Sequence, residues 1–276
     1  MMNLRQFWFK YRHLAERLNK ETSAVRLLIS EPLSLSKTDF YLQQNEILNE
    51  DQLALLERAL FRYLYQNEPV QYIIGYTYFY QLKLKVNSDV LIPRPETEEL
   101  VDLIIKRNTF TTPVILDIGT GSGAIALALK KAIPHALVYA SDLSASALAV
   151  AKENAQTLNL PITFMQGDLF AGFTGRIDIL VSNPPYLDPS LPLEPLVKDY
   201  EPHLALFASQ KGLYFYEAIL KQAPKYLNDA FLIAFEIPIN HDQELLMLAN
   251  QYFPFAKRAI IKDLSNRSRM LLISFQ

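Results

Sequence analysis

Cysteine is absent from this sequence of 276 residues. Its absence excludes disulfides, thiolate nucleophiles and cysteine metal ligands together. Histidine is also scarce, and the four present are scattered without the close spacing of metal ligands: His13, His135, His203 and His241. We therefore expect no metal ion in the protein.

An excess of charge of one sign and a long apolar run are also missing. The formal net charge is −2 and the sequence pI is about 6.1, so no overall basic field favours DNA or RNA. No uninterrupted apolar run reaches the length of a membrane span, and the first residues lack the apolar core of a signal peptide. We expect a cytoplasmic protein that binds neither DNA nor membrane.

Glycine is sparse, and the first one in the chain is Gly75. The residues before it show helical patterns, of which the first is an apolar stripe formed by Leu4, Trp8, Tyr11, Ala15 and Leu18. Three further short helices are indicated by apolar spacing after the capping candidates Thr22 or Ser23, Ser36 and Asn49. Residues 1–68 are therefore predicted to form a small helical bundle.

The pattern changes over residues 69–92. Apolar and polar side chains alternate over residues 76–86, which predicts a strand pair or hairpin. Pro95 then suits the first position of a helix. We predict a linker with a β-hairpin over 69–92 and a second domain over 93–276.

A glycine-rich turn follows the apolar strand 114–118 and precedes a helical run. Its residues are Gly119, Thr120, Gly121, Ser122 and Gly123. A turn of this kind presents backbone N–H groups to a ligand at a helix N-terminus. Its spacing differs from the G-x-G-x-x-G of dinucleotide binders, and no Gly-Lys-Ser/Thr follows, which argues against NAD and against nucleotide phosphates.

Candidate functional residues end the next three predicted strands. Asp142 follows the second strand of this half, where an acidic residue can accept hydrogen bonds from both hydroxyls of a ribose. Asp168 and Leu169 follow the third, and Asn183 follows the fourth. Because open α/β sheets bind ligands at the carboxyl ends of their strands, we expect these residues to surround one site.

The fourth strand ends in the motif Ser182-Asn183-Pro184-Pro185-Tyr186. The two prolines cannot donate hydrogen bonds to a neighbouring strand, so the strand stops there and holds Asn183 at its end. An amide side chain, a rigid turn with exposed carbonyls and an aromatic ring together form a receptor for a planar NH2 group. The motif looks like the active-site motif of amino-methyltransferases, which methylate such nitrogens from S-adenosylmethionine.

A long stretch over residues 187–210 follows the motif and contains Pro189, Pro192, Pro195 and Pro202. A loop of this length within a folded domain is usually functional, so we predict a substrate lid. A helix, an apolar strand, another helix and two late strands then complete the predicted α/β sheet.

Read together, the motifs resemble the peptide chain release factor glutamine N5-methyltransferase family over nearly the whole chain. The matching stretches are residues 69–75, 91–98, 116–126, 181–186 and 200–202. The resemblance implies an α/β fold of class I S-adenosylmethionine-dependent methyltransferases, with a Rossmann-like, mostly parallel seven-stranded sheet. It also implies that a hairpin linker joins a helical N-terminal domain to the sheet. We predict that this helical domain, residues 1–68, docks the substrate, because a glutamine-bearing loop alone offers too few contacts for specificity.

The implied activity is methyl transfer from S-adenosyl-L-methionine to the side-chain nitrogen N5 of the glutamine in the Gly-Gly-Gln motif of class 1 release factors. The product of the cofactor is S-adenosyl-L-homocysteine. The expected catalytic residues are Asn183, Pro184 and Tyr186, and Pro185 joins them in binding the substrate. The expected cofactor residues are Gly119, Thr120, Gly121, Ser122, Gly123, Asp142, Asp168, Leu169 and Asn183, with Asp142 at the ribose and Asp168 and Leu169 beside the adenine.

Two stretches depart from the family pattern because they lack its usual glycine, namely residues 235–241 and 263–269. We expect both to affect local conformation more than activity.

Two alternative functions stay open. An adenine-N6 methyltransferase would act on the same kind of planar NH2 group, and a non-catalytic adaptor could retain the fold. The mild acidity and the helical bundle favour a protein substrate.

Overall fold

The computed structural model describes residues 2–188 and 200–275, and the chain divides into two units. The described part of the first unit comprises residues 2–76 and Tyr200. The described part of the second comprises residues 77–188 and 201–275. Within the described residues, no helix is both long enough and apolar enough to span a membrane.

The first unit contains five helices among its described residues, and side-chain caps begin three of them. The helices are α1 (Leu4–Arg17), α2 (Thr22–Ser30), α3 (Lys37–Leu42), α4 (Glu50–Tyr65) and α5 (Val70–Ile74). Asn3, Ser36 and Asn49 form reciprocal capping boxes at α1, α3 and α4. The predicted caps Ser36 and Asn49 are thus confirmed. The predicted cap of α2 is wrong, because Glu21 precedes the helix and Thr22 is already helical.

The core of this unit differs slightly from the stripe expected in α1. Phe7 is fully buried there, whereas Leu18 is 38% exposed because it follows the last helical residue. On α4 the buried face includes Leu56 and Leu60. Three side chains of α5 pack against the same core: Val70, Ile73 and Ile74.

The predicted hairpin is formed by β1 (Tyr76–Phe79) and β2 (Leu82–Lys85). Leu82 and Leu84 are buried, while the lysines between and after them are exposed. The turn residues Tyr80 and Gln81 have φ angles of 47° and 60°, and positive φ angles at both central residues are typical of a type I′ hairpin turn.

Seven strands of the described chain form one sheet in the order β5-β4-β3-β6-β7-β9-β8. They are β3 (Val114–Ile118), β4 (Leu137–Asp142), β5 (Thr163–Gln166), β6 (Ile177–Ser182), β7 (Leu227–Glu236), β8 (Lys257–Lys262) and β9 (Ser268–Phe275). Neighbours from β5 to β7 are parallel, and β9 is antiparallel to both β7 and β8. The mostly parallel seven-stranded sheet confirms the expected fold class.

Helices cover both faces of this sheet. They are α6 (Pro95–Arg107), α7 (Ala124–Ala132), α8 (Ala145–Leu158), α9 (His203–Leu206), α10 (Tyr214–Gln222) and α11 (Asp242–Tyr252). Successive strand residues point to opposite faces: Ile179 joins the core beneath α6 and α7, and Leu180 joins the core beneath α10 and α11. Strands buried on both faces explain the nearly continuous apolar runs in the sequence.

The predicted lid lies partly outside the described residues, since residues 189–199 are not among them. Hydrogen bonds join described residues from the two ends of the predicted lid. Leu187 N donates to Leu206 O at 2.8 Å, and Ala208 N donates to Leu187 O at 2.9 Å. A lid over this stretch therefore stays a prediction.

Candidate active site

Four strand ends align along one edge of the sheet. In register, Ile118 pairs with Ser141 on one side and with Ser182 on the other, and Ser182 pairs with Phe235. The residues that follow these positions therefore share the carboxyl edge. The sequence predicted this alignment for the glycine turn, Asp142 and Asn183, but not for Glu236, which ends β7.

The glycine turn leaves open space at two of its three glycines. Gly119 and Gly121 have φ angles of 72° and 55°, and a Cβ added to either would meet nothing within 4 Å. At Gly123 an added Cβ would lie 3.1 Å from the side chain of Leu127, so this glycine serves close packing instead. The first two glycines thus keep the edge of the sheet open beside the N-terminus of α7.

Asp142 is half-buried at the end of β4 and is bound to the glycine turn. Its Oδ2 accepts a hydrogen bond from Gly121 N at 2.8 Å, and its Oδ1 accepts one from Ser144 N at 2.9 Å. An ionised carboxylate has about four acceptor positions, so both oxygens can still accept hydrogen bonds from a ligand. The contact with the glycine turn fixes where those acceptors point.

A second carboxyl group lies beneath the turn and was missed by the sequence reasoning. Asp117 is fully buried in β3, and its Oδ2 accepts a hydrogen bond from Thr120 Oγ1 at 2.6 Å. Burial raises the pKa of Asp117 to about 7, although the hydrogen bonds from Thr120 and from the backbone of Ala126 oppose the shift. The available signal was an acidic residue inside an otherwise apolar strand next to a glycine turn.

The loop after β5 is tied to the end of β4. Gly167 N donates to Asp142 O at 3.0 Å, and Ser141 Oγ donates to Leu169 O at 2.9 Å. Leu169 is buried with a φ angle of 50°, while the side chain of Asp168 is exposed. Both residues therefore belong to the same neighbourhood as Asp142.

The turn after β6 is fixed from two directions. Ser182 Oγ donates to Ile118 O at 2.6 Å, which fastens the end of β6 to β3. Gly212 lies against the other side of the turn with a φ angle of 88°, and a Cβ there would come within 2.2 Å of Tyr186 O. Only glycine allows this approach, and no local sequence pattern pointed to it.

Asn183 makes a side-chain contact that the sequence did not predict. Its Nδ2 donates to Thr97 Oγ1 at 3.4 Å, and Thr97 Oγ1 donates to Glu236 Oε2 at 2.6 Å. Thr97 and Glu236 are only 4% and 2% exposed, respectively. Burial raises the pKa of Glu236, and hydrogen bonding to Thr97 partly offsets the shift.

Tyr186 lies close to the same carboxyl group. Burial raises the pKa of Tyr186 to about 12, and the charge of Glu236 acts in the same direction. Tyr216 supports this region from α10, because its hydroxyl donates to Glu236 O at 2.7 Å. Tyr186 therefore keeps its phenolic proton at neutral pH.

The start of α6 and the residue before it connect these parts. Arg94 Nη2 donates to both carboxylate oxygens of the buried Glu201, at 2.6 and 2.7 Å. Glu96 forms an ion pair with Arg267 at 3.3 Å, and Glu99 accepts from Leu264 N at 3.0 Å. The first turn of α6 thus reaches both the Glu201 segment and the turn before β9.

The two departures from the family pattern have distinct surroundings. In the turn before β9, Asn266 adopts a φ angle of 61°, the left-handed region that asparagine tolerates better than most residues. In the stretch 235–241, Glu236 lies beside Thr97 and hence beside the Asn183 turn.

Among the described residues no group of three or more His, Cys, Asp or Glu is placed to hold a metal ion.

Comparison with known proteins identifies related families. Residues 96–192 match the model of the Methyltransferase small domain, and residues 11–75 match the PrmC N-terminal domain. The release factor glutamine methyltransferase of Streptococcus pneumoniae is 39% identical over 99% of this chain and 98% of that protein. Its counterpart in Lactococcus lactis is 42% identical over 87% of this chain and 89% of its own length.

Two solved structures share the fold at low sequence identity. A methyltransferase from Pyrococcus furiosus has a TM-score of 0.54 and 18% identity, over 82% of this chain and 98% of that chain. The hMettl16 catalytic domain, solved in complex with the MAT2A 3′UTR hairpin 6, has a TM-score of 0.55 and 15% identity, over 83% of each chain. At such identities the likeness establishes the fold alone.

Proposed function

The chain belongs to the release factor glutamine methyltransferase family, and from this premise we propose that it methylates N5 of the glutamine in the Gly-Gly-Gln motif of class 1 release factors. The donor is S-adenosyl-L-methionine, and S-adenosyl-L-homocysteine is its product. The observation that carries the proposal is 39% identity over 99% of the chain to a release factor glutamine methyltransferase. The Asn183 turn at the strand edge supplies the matching chemistry.

The residues at the strand edge fit S-adenosylmethionine. Its ribose carries two hydroxyls, and Asp142 offers two carboxylate oxygens that are already oriented by backbone N–H groups. Gly119 and Gly121 leave open the space that side chains would fill, so the methionine end can approach the backbone of the turn. Leu169 offers an apolar side chain for the adenine, with Asp168 beside it. When bound, the cofactor supplies a methyl group made electrophilic by its sulfonium.

The Asn183 turn provides acceptors for the substrate amide. A glutamine amide nitrogen is a poor nucleophile because its lone pair is delocalised into the carbonyl. In our proposal the Asn183 side-chain oxygen and the Pro184 carbonyl accept hydrogen bonds from its two N–H groups, and Pro185 keeps the turn rigid. Tyr186 packs against the amide plane. Such positioning can contribute on the order of 7–11 kcal/mol to lowering the barrier.

Proton loss completes the reaction. Transfer of the methyl group breaks its bond to sulfur as its bond to the amide nitrogen forms. One amide proton then becomes acidic and leaves to water or through the Asn183 acceptors. A strong base is not required, because the proton departs only after the nitrogen has become electron-poor. Tyr186 keeps its own proton because its pKa is raised to about 12. Its contribution is therefore the ring face rather than proton transfer.

We further propose that the helical bundle over residues 1–68 docks the release factor. A glutamine-bearing loop offers few contacts for choosing one protein among many with exposed glutamines. A second contact, when the geometry fits, raises overall affinity by about 10²–10⁴. Large apolar side chains are available on the surface of this unit, since Phe61 and Tyr65 on α4 are 53% and 55% exposed.

A transfer assay tests the proposed function. Labelled S-adenosylmethionine is incubated with the protein and purified release factor, with DNA as the control substrate. We expect label on the release factor, and none when its Gly-Gly-Gln glutamine is replaced by alanine. Label on DNA adenine would contradict the proposal. Equal label on the release factor in which alanine replaces the Gly-Gly-Gln glutamine would contradict it as well.

A further inference from the structure

Three side chains from distant parts of the sequence form a hydrogen-bonded series at the strand edge. Asn183 Nδ2 donates to Thr97 Oγ1 at 3.4 Å, and Thr97 Oγ1 donates to Glu236 Oε2 at 2.6 Å. The series connects the end of β6 to the first turn of α6 and to the end of β7. Its first bond is long, as hydrogen bonds in active sites often are before a substrate is bound.

The direction of these hydrogen bonds follows from the number of hydrogens that each side chain can donate. A threonine hydroxyl has one hydrogen to donate, and an ionised carboxylate can only accept. Thr97 must therefore give its hydrogen to Glu236 and can offer Asn183 only a lone pair. Among the two ends of the Asn183 amide, only Nδ2 can donate to that lone pair, so Oδ1 is left for the opposite side.

We propose that Thr97 and Glu236 are positioning residues that hold the Asn183 amide with its Oδ1 available to the substrate nitrogen. This inference rests on the proposed function, in which that oxygen accepts a hydrogen bond from the glutamine NH2. A flipped amide would present its own NH2 to the substrate NH2, so that two donors would face each other. The Thr97–Glu236 pair selects the productive one of two nearly isosteric orientations.

Protonation of Glu236 would remove this selection. A neutral Glu236 can donate to Thr97, which frees the threonine hydrogen to point at Asn183. Asn183 then accepts through Oδ1 and turns its NH2 towards the substrate. The active form therefore requires Glu236 to be ionised, although the side chain is only 2% exposed.

The surroundings of Glu236 both oppose and support its ionisation. Burial raises its pKa, and the charge of Glu96 acts in the same direction. Hydrogen bonds from Thr97 and Tyr186 and the positive charge of Arg269 lower it. The titratable and charged groups around the carboxylate are Glu96 from α6, Tyr186 from the Asn183 turn, Tyr216 from α10 and Arg269 from β9. Because the net shift is upward, proton uptake begins at a higher pH than for an exposed glutamate.

Two substitutions of Thr97 provide the first test, because valine keeps the shape of the side chain without its hydroxyl and serine keeps the hydroxyl. Thr97→Val keeps the volume but removes the acceptor, and we expect kcat on release factor to fall by about tenfold or more. Thr97→Ser keeps the hydroxyl and should retain kcat within about threefold. Affinity for S-adenosylmethionine is measured in parallel and should change little in either variant. Tm should fall in Thr97→Val, because the buried Glu236 loses a hydrogen-bond donor, and should change little in Thr97→Ser. Unchanged kcat in Thr97→Val, or equal loss in both variants, would overturn the inference.

The second test uses the pH profile of single-turnover rate at saturating S-adenosylmethionine. In the unaltered enzyme the rate should fall on the acid side as Glu236 takes up a proton. Glu236→Gln cannot ionise, so its rate should be several-fold lower at pH 8 and should lack that part of the acid limb. Asp178→Asn, which alters a carboxylate at the amino end of β6, is the matched control and should keep the limb.

The outcomes distinguish this inference from the proposed function. An acid limb of the same size and midpoint in Glu236→Gln would overturn the role of Glu236 while leaving glutamine methylation intact. Absence of any transfer to release factor by the unaltered enzyme would instead contradict the proposed function.

Discussion

At the scale of single residues, the strand edge uses different polar side chains for the two proposed roles of binding the cofactor and positioning the substrate. Asp142 is bound to the backbone of the glycine turn and has spare acceptor capacity, which suits the ribose of the cofactor. Asn183 belongs to a different series of contacts, through Thr97 to Glu236. Cofactor binding and substrate positioning are therefore expected to respond to different substitutions.

Substitution of Asp142 tests the first task. Asp142→Ala should weaken S-adenosylmethionine binding by about 1.5–3 kcal/mol, the scale of a lost hydrogen bond to a charged acceptor. Titration calorimetry measures the change. Asp168→Ala, at an exposed side chain after the next strand, should have a smaller effect. Unchanged affinity in Asp142→Ala would remove this residue from the cofactor site.

At the scale of elements, the Asn183 turn depends on a glycine from another segment. Gly212 approaches Tyr186 O so closely that a Cβ would lie 2.2 Å from that oxygen. The turn is also fastened through Ser182 to β3. The rigidity that the two prolines give to the chain is thus completed by packing that is remote in sequence.

Two matched glycine substitutions measure this dependence. Gly212→Ala and Gly172→Ala both place alanine at positive φ, 88° and 83°, but an added Cβ at Gly172 meets only Met165 Cβ at 3.9 Å. Gly172→Ala should cost about 1–2 kcal/mol of unfolding free energy from backbone strain alone. Gly212→Ala should cost clearly more and should also lower the single-turnover rate. Equal effects of the two changes in chemical denaturation would show that the contact with Tyr186 is unimportant.

The sequence predicted what depends on local pattern. The glycine turn, the end of β6 at its two prolines and the acidic residue after β4 all follow from spacing within a few residues. Thr97 and Glu236 are 139 positions apart, and their contact arises only when α6 and β7 come together. Glu236 ends a strongly apolar strand, as Asp142 does, but nothing local indicates that Thr97 is its partner. The periodicity of apolar residues in the sequence does not indicate long-range polar contacts of this kind.

At the scale of the whole molecule, the two units are proposed to divide recognition from chemistry. The second unit carries every residue that we propose to bind the cofactor or the substrate amide. The first unit has its own core, to which Val70, Ile73 and Ile74 of α5 contribute. A deletion that ends at residue 68 would expose those side chains, so a cleaner boundary follows Tyr76.

Deletion of the first unit tests its role. A chain that begins at Thr77 should still bind S-adenosylmethionine and should methylate a short Gly-Gly-Gln peptide at nearly the original rate. Its kcat/KM on intact release factor should fall by about tenfold or more, because a second contact has been lost. Equal losses on the peptide and on the intact factor would mean that the first unit only stabilises the rest.

Asn183 is proposed to position the glutamine amide for methyl transfer. Single-turnover methylation of release factor, with the modified residue located by mass spectrometry, tests it most directly. Asn183→Ala should keep cofactor affinity within a few fold and lower the rate by about 10²–10³, the effect of losing a preorganised polar partner. Asn228→Ala, at the amino end of β7, is the matched control and should keep its rate. Methyl groups on the Gly-Gly-Gln glutamine at more than about half the original rate in Asn183→Ala would contradict the account.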